Sequence, residues 1–292
     1  MREKNWIPDP FLLRTHLLPL CVIASPAGAA ISSFMGLLRR FTSRNDKLFT
    51  AFILMTGLVS TLILFIPGSP LFSQNDPAAE WHLLYLKIRD SQISKEEALA
   101  RLRGLEPLLK DRYLKSWDRK SEDRLTFPLR GYGPTAIGGK DGSGYQPKGY
   151  DFFDGNRHKG HPAHDIFIRD KNQDSLDDGT GKPVEAISVC SGMVVSVNLN
   201  WEPSSPIRGG NYTWIYDPIK SRYYYYAHLN EIFVKVGDIV SRDDKLGTVG
   251  RTGVKAYPKR SPTHLHFQVL QSVDGYPRPI NPYMDLTKGS LK

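Results

Sequence analysis

Short apolar runs separated by turn residues dominate the chain from residue 126 to residue 292. The runs are rich in β-branched and aromatic side chains, and Gly, Pro, Asn and Asp stand between them, which is typical of strands joined by tight turns. Seven strands are predicted, at residues 165–169, 184–188, 192–199, 213–217, 223–229, 246–249 and 264–270. We therefore expect a mainly β domain that begins near residue 126.

Residues 74–125 have a different, helical periodicity. Four apolar side chains recur at helical spacing and form one stripe: Trp81, Leu84, Tyr85 and Ile88. Ser94 and Glu97 have the spacing of a capping box, which predicts the start of a second helix. A helical hairpin of this length is marginal on its own, so it is expected to pack on the β domain or on a partner.

An uncharged apolar segment precedes the hairpin. Residues 48–66 are about as long as a bilayer core is thick, and the basic flank 1–47 lies before them. Ser73 is small enough to end a signal peptide. Residues 48–73 are therefore interpreted as a cleaved signal peptide or as an anchor that contacts the membrane through residues 48–66. Both interpretations predict export to the periplasm, the cell envelope or the extracellular space.

Charge and cysteine content narrow the class of protein. The formal net charge is +9, of which the flank 1–47 contributes +4 and the remaining residues +5. This charge fits an anionic surface such as a cell wall, and no zinc-finger, helix-turn-helix or RNP-like signature favours nucleic acid as a partner. Cys21 and Cys190 allow no disulfide framework, and Cys190 stands in an apolar run that predicts a buried position.

Residues 263–270 combine a strand pattern with two histidines. Because side chains alternate along a strand, His264, His266 and Gln268 share one face, and the apolar residues between them face the core. Two imidazoles on one rigid strand can converge on a metal ion or on a substrate beside it.

A second segment carries matching chemistry. His161 and Asp165 lie four residues apart at the entry to a predicted strand, so both fall on one side, with His164 on the other. One imidazole and one carboxylate from this segment, with one imidazole from the strand of His264 and His266, would give three N/O ligands. That is the open arrangement of a catalytic zinc site.

A third segment is rich in tyrosine. In the predicted strand at residues 223–229, Tyr224, Tyr226 and His228 share one face. Beside a metal site, His228 is a candidate for proton transfer or for stabilising an oxyanion.

These segments occur in the order of a known family and resemble the lysostaphin-type (LytM-like, duplicated hybrid motif) peptidases. The four motifs read His161-Pro-Ala-His-Asp165, Tyr226-Ala-His228-Leu229, Gly247-Thr-Val-Gly250-Arg-Thr252-Gly253 and His264-Leu-His266-Phe267. The resemblance covers about residues 127–285. It implies two packed antiparallel sheets with the site in a groove between long loops. It also implies a zinc-dependent endopeptidase that acts on the peptide cross-links of bacterial peptidoglycan.

The resemblance also implies a role for each site residue. His161, Asp165 and His266 correspond to zinc ligands, and His228 and His264 to a catalytic pair that does not bind the metal. In that scheme the zinc polarises the scissile carbonyl and its bound water, one free imidazole assists the water and the other stabilises the oxyanion. The sequence does not decide between the two imidazoles.

The chain departs from the family pattern in three places. Ala163 replaces a glycine, and residues 254–263 form a longer, basic loop that is expected to shape the substrate groove. His158 and His164 crowd the first motif and compete with His161 for the role of ligand. The four-residue spacing to the carboxylate favours His161.

Several alternatives stay open. One alternative is a catalytically inactive protein of the same fold that binds peptidoglycan or activates another hydrolase. Such a protein would not need the metal ligands, whereas this chain has the full set. Cupins also carry a His-x-His strand, but their pattern expects a glutamate where Gln268 and Gln271 stand here. The hairpin is interpreted as a positioning element, a partner-binding element or a cover for the groove. The bond that is cleaved and the oligomeric state are not determined by the sequence.

An acidic insertion follows the first predicted strand of the β domain. Three carboxylates and one amide have a spacing similar to that of a calcium loop: Asp170, Asn172, Asp174 and Asp178. Ser175 and Gly181 stand where such a loop has Gly and Glu. Two interpretations therefore stay open, a Ca²⁺ site and an Asp/Asn-rich turn that needs no ion.

Overall fold

A computed structural model describes residues 76–116 and 124–288, which all belong to one compact unit from Leu71 to Lys292. The flank 1–47 and the segment 48–73 lie outside the described residues, so the signal peptide and the anchor stay predictions. Within the described ranges, every helix is too short or too polar to span a lipid bilayer.

The predicted helical hairpin is present. The helices are α1 (Pro77–Arg89), α2 (Lys95–Ser116) and a short C-terminal α3 (Tyr283–Lys288). Asp76 caps α1, because its side chain accepts a hydrogen bond from the backbone N–H of Ala78 at 2.9 Å. At the start of α2 the Ser94 hydroxyl accepts the N–H of Glu97 at 3.2 Å, as the capping-box spacing predicts.

Nine antiparallel strands follow. They are β1 (Ala163–Phe167), β2 (Glu185–Ile187), β3 (Gly192–Asn198), β4 (Asn211–Asp217), β5 (Arg222–Ile232), β6 (Ile239–Val240), β7 (Lys245–Val249), β8 (His264–Val273) and β9 (Tyr276–Ile280). The mainly β fold class is confirmed. The seven predicted strands are present, whereas β6 and β9 were not predicted. Strand β9 contains Pro277 and Pro279, which cannot donate to a ladder, and it pairs with β8 alone.

Strand β5 joins two layers of this sheet. The main path runs β1-β8-β5-β4-β3-β6, while β2 pairs with β7 and β7 pairs with the C-terminal part of β5. A hydrophobic core fills the space between the layers, with Tyr224 and Phe267 from the main path and Ala186 and Leu246 from the β2–β7 pair. The two layers are therefore continuous through β5. The buried Cys190 lies in this core, as predicted.

The hairpin packs on the opposite face of the main path. A second buried cluster there combines side chains of both helices with aromatic residues of β4 and β5. The Trp81 indole donates to the Tyr223 hydroxyl at 3.2 Å, and that hydroxyl donates to Glu106 of α2 at 3.0 Å. The hairpin thus covers one sheet face with apolar and hydrogen-bonded contacts, which supplies the stability that it would lack alone.

Trp81 is expected to be a main contributor to this interface, since its side chain is fully buried. Replacing Trp81 by alanine should lower the free energy of unfolding by about 3–5 kcal/mol, because a large buried ring is lost and a cavity remains. Leu83 on the same helix is 59% exposed, and its alanine variant should lie within about 0.5 kcal/mol of the parent. Urea unfolding of the three proteins measures both effects, and equal stabilities would contradict the packing described here.

The acidic insertion is held by its own backbone. Asp170 accepts the N–H groups of Asp174 and Ser175 at 3.1 and 2.9 Å, and Asp177 accepts the N–H of Gly179 at 3.0 Å. These bonds are those of Asx-type turns, in which a carboxylate replaces a backbone acceptor. These bonds account for the shape of the turn, and the Ca²⁺ interpretation stays a prediction.

Candidate active site

The pairing of three strands brings the histidine and aspartate motifs together. In the β1–β8 register Asp165 lies opposite His266, and in the β5–β8 register His266 lies opposite Ala227. His266 therefore stands between the two other motifs, and His228 follows directly after Ala227. His161 precedes β1 and is held by a backbone bridge to Gln146.

Three of the predicted residues form a cluster that fits a metal ion. The Nε2 atom of His161 and the Nδ1 atom of His266 lie 3.1 and 3.0 Å from Oδ1 of Asp165. The three candidate ligand atoms lie within 4.8 Å of one another, and no other group of three His, Cys, Asp or Glu in the described ranges meets this criterion. His161 also donates its Nδ1–H to the carbonyl of Gly144 at 3.0 Å, which orients the ring as in many metal sites.

Two further imidazoles border this cluster. His228 and His264 are 7% and 6% exposed, and their ring centroids lie 4.9 Å apart. Each donates Nδ1–H to a backbone carbonyl at 2.7 Å, His228 to Thr252 and His264 to Pro262. Because a neutral imidazole carries one N–H, the Nε2 atom of each ring is left as an acceptor.

Charge is distributed unevenly over the cluster. Burial opposes ionisation of Asp165, but the hydrogen bonds of His161 and His266 hold its pKa far below the usual range. Burial, and after it the nearby His264 and His266, lowers the pKa of His228 well below its usual value. An ionised carboxylate and a neutral imidazole at neutral pH are the protonation states that metal binding and proton acceptance require.

The two competing histidines lie elsewhere. His164 is fully buried, and its Nε2 atom lies 2.8 Å from the amide oxygen of Asn281. His158 contacts the carbonyl of Lys159 at 3.2 Å. Neither belongs to the three-residue cluster, so the structure places His161 rather than its neighbours beside Asp165.

The loop at residues 254–263 forms one wall of the site and is held from two sides. Arg251 donates to two backbone carbonyls of the loop at 2.7 and 3.0 Å. From the acidic insertion, Gln173 donates to the carbonyl of Lys259 at 2.7 Å, and Asp170 accepts the hydroxyl of Thr263 at 2.6 Å. The insertion therefore fixes the residue that directly precedes His264.

The cluster lies in a cleft of about 210 Å³ that extends to the hairpin. The cleft is also lined by aromatic side chains and one arginine of α1: Tyr85, Arg89, Phe152, Trp214 and Tyr225. The side chains of His161 and Asp165 remain 35% and 30% exposed. The hairpin is thus a wall of the cleft and does not close over the candidate ligands.

Two cleft residues were not assigned a role from the sequence. Gln268 was predicted on the face of His264 and His266, and its position in the cleft agrees with that alternation. Arg208 stands in a turn between β3 and β4, where no motif indicates its proximity to the site.

The family comparison agrees with the motifs. Residues 175–282 match the model of peptidase family M23, a range that contains His228, His264 and His266 and begins after His161 and Asp165. The match confirms, for this region, the family resemblance that the four motifs predicted. No curated protein matches the chain.

Similar chains also occur among solved structures. A zinc-containing peptidase from Vibrio cholerae is 26% identical, with 54% of this chain and 39% of that chain covered and a TM-score of 0.34. Lysostaphin from Staphylococcus simulans is 22% identical, with 53% of this chain and 50% of that chain covered and a TM-score of 0.34. The chain therefore spans half or less of the length of these two proteins.

Proposed function

We propose that this protein is a zinc-dependent endopeptidase that cleaves peptide cross-links of bacterial peptidoglycan. The observation that carries the proposal is the convergence of His161, Asp165 and His266 beside two imidazoles with free Nε2 atoms. The peptidase family supports hydrolysis of a peptide bond. The resemblance of the motifs to lysostaphin-type enzymes, and a net charge of +5 outside the flank 1–47, support an anionic cell-wall substrate.

The donor set fits zinc. Two imidazole nitrogens and one carboxylate oxygen are the ligands of many catalytic zinc sites, which leave a position for water or substrate. When bound, zinc would polarise the scissile carbonyl and lower the pKa of the attacking water.

His228 and His264 supply the proton chemistry. Each ring is fixed by a backbone carbonyl at Nδ1, so Nε2 is the atom that accepts or returns a proton. One imidazole takes the proton of the attacking water. The other, when protonated, stabilises the oxygen on which negative charge develops, because only an imidazolium has an Nε2–H to donate while Nδ1–H stays on the backbone carbonyl.

An exported location belongs to the same proposal. The apolar segment 48–66 follows a basic flank, and peptidoglycan lies outside the inner membrane. Mass spectrometry of the mature N-terminus would distinguish cleavage after Ser73 from retention of the segment as an anchor.

Metal content and product analysis test the proposal on the full chain. We expect one zinc per chain and release of muropeptides from purified peptidoglycan. Both should be lost in His266→Ala and kept in His158→Ala. His158 is a matched control because it lines the same cleft but lies outside the cluster.

The inactive alternative makes a different prediction. A peptidoglycan-binding or hydrolase-activating protein would sediment with peptidoglycan without releasing any peptide. If the parent protein holds no zinc or yields no new peptide ends, the endopeptidase proposal is wrong.

A further inference from the structure

Arg208 is a cleft residue whose charge is not neutralised by the described part of the chain. It is half-buried, its guanidinium donates to the carbonyl of His158 at 2.8 Å, and no Asp or Glu of the described ranges forms an ion pair with it. The other guanidinium of the cleft, Arg89, is paired with Asp90 at 2.7 Å. Because a partly buried cation without a counter-charge is costly, Arg208 is suited to an anionic ligand.

Gln268 lies in the same cleft. It is 3% exposed, and its side-chain amide lies beside the Tyr150 hydroxyl, to which it can donate a hydrogen bond. It stands two residues after His266 on β8, so both side chains lie on the same face of the strand. Gln268 therefore places this part of the cleft beside the candidate metal ligand His266.

We propose that this part of the cleft binds a carboxylate of the peptide substrate, with Arg208 as its ion-pair partner. The inference rests on the proposed peptidase function and defines its substrate class as peptides with a free carboxylate close to the scissile bond. A guanidinium suits this ligand because its planar N–H groups can form two parallel bonds to a carboxylate. The aromatic wall of Tyr85, Trp214 and Tyr225 limits access of water and strengthens such a pair.

Binding of two matched peptides tests the inference. Synthetic cross-linked stem peptides that end in a carboxylate or in a carboxamide are titrated by calorimetry into the zinc-loaded full chain. A His264→Ala background is used because it should slow turnover by roughly 10²–10⁴-fold. We expect the acid to bind at least about tenfold more tightly than the amide. Arg208→Gln should reduce this ratio to about one by weakening binding of the acid alone.

Lys255→Gln is the matched control. Lys255 also lines the cleft, but it is exposed, so its removal should leave the ratio within about twofold of the parent value. A purely structural role of Arg208 would weaken both peptides equally and leave the ratio unchanged, which would overturn the proposal. Equal binding of acid and amide by the parent, or no binding of either, would overturn it as well.

A parallel cleavage assay separates this inference from the proposed function. The protein with His264 intact could cleave both peptides although the acid and the amide bind equally well. That result would contradict the carboxylate site and support the peptidase function. Conversely, the acid could bind more tightly than the amide in an Arg208-dependent way while neither peptide is cleaved. That result would contradict the peptidase function and support the carboxylate site.

Discussion

Replacing Asp165 by asparagine is expected to remove zinc and peptidase activity together while the fold stays intact. Asp165 contributes the only carboxylate of the cluster, and its Oδ1 atom lies within 3.1 Å of nitrogen atoms of both His161 and His266. An amide of the same shape can keep contacts with the imidazoles, but it carries no charge for a divalent cation. Because metal polarisation contributes several kcal/mol to transition-state stabilisation, peptidase activity should fall by at least about 10³-fold.

Three measurements check this expectation. Metal analysis should find less than one zinc per chain in Asp165→Asn, muropeptide release should be lost, and thermal unfolding of the metal-free variant should match the metal-free parent. Asp154→Asn is the control, because Asp154 is an exposed carboxylate beside the cleft and outside the cluster. A variant at position 165 that holds a full equivalent of zinc and cleaves at the parent rate would disprove the ligand assignment.

Replacing His228 by alanine should abolish turnover but leave the zinc bound, unlike the replacement of Asp165. His228 is not among the three residues that share potential ligand atoms, yet its ring lies 4.9 Å from that of His264 and 5.7 Å from that of His266. A positioned acid, base or oxyanion donor contributes roughly 10²–10⁴-fold to the rate. We expect a loss of kcat of that size with a small change in KM.

The partner variant His264→Ala sharpens this test. If the two imidazoles act on the same step, the double variant should be little slower than the slower single variant, because residues that act as a unit are not additive. Steady-state kinetics and zinc content of all three variants provide the comparison. Loss of zinc in His228→Ala would indicate that His228 is a metal ligand. Turnover within about twofold of the parent rate would show that His228 has no role in the mechanism.

The sequence predicts the parts of the site that depend on local alternation. The face shared by His264, His266 and Gln268 follows from the two-residue period of a strand, and the spacing of His161 and Asp165 follows from the same rule. Both arrangements occur in the structure. Strand pairing then brings the motifs together, in agreement with the common site that the family resemblance implied.

Other features depend on contacts that local patterns do not encode. The prediction that His228 shares a face with Tyr224 and Tyr226 is wrong, because the two tyrosines lie in the core whereas His228 lines the cleft. His228 has a backbone φ of 65° and is skipped in the β4–β5 register, so the strand is irregular there and the alternation of side chains breaks. The hairpin was expected to pack on the β domain, but its place as a cleft wall depends on long-range pairs such as Glu106 with Tyr223. Arg208 reaches the cleft through a turn whose path is set by the fold.

The bonds between the acidic insertion and the loop at residues 254–263 have a consequence for protein engineering. Gln173 and Asp170 belong to one segment, and their partners Lys259 and Thr263 belong to the other, so the two segments form one structural block. A chimera that takes the basic loop from a relative without the matching insertion would leave His264 without its support. Exchanging both segments together would keep these bonds and the position of His264.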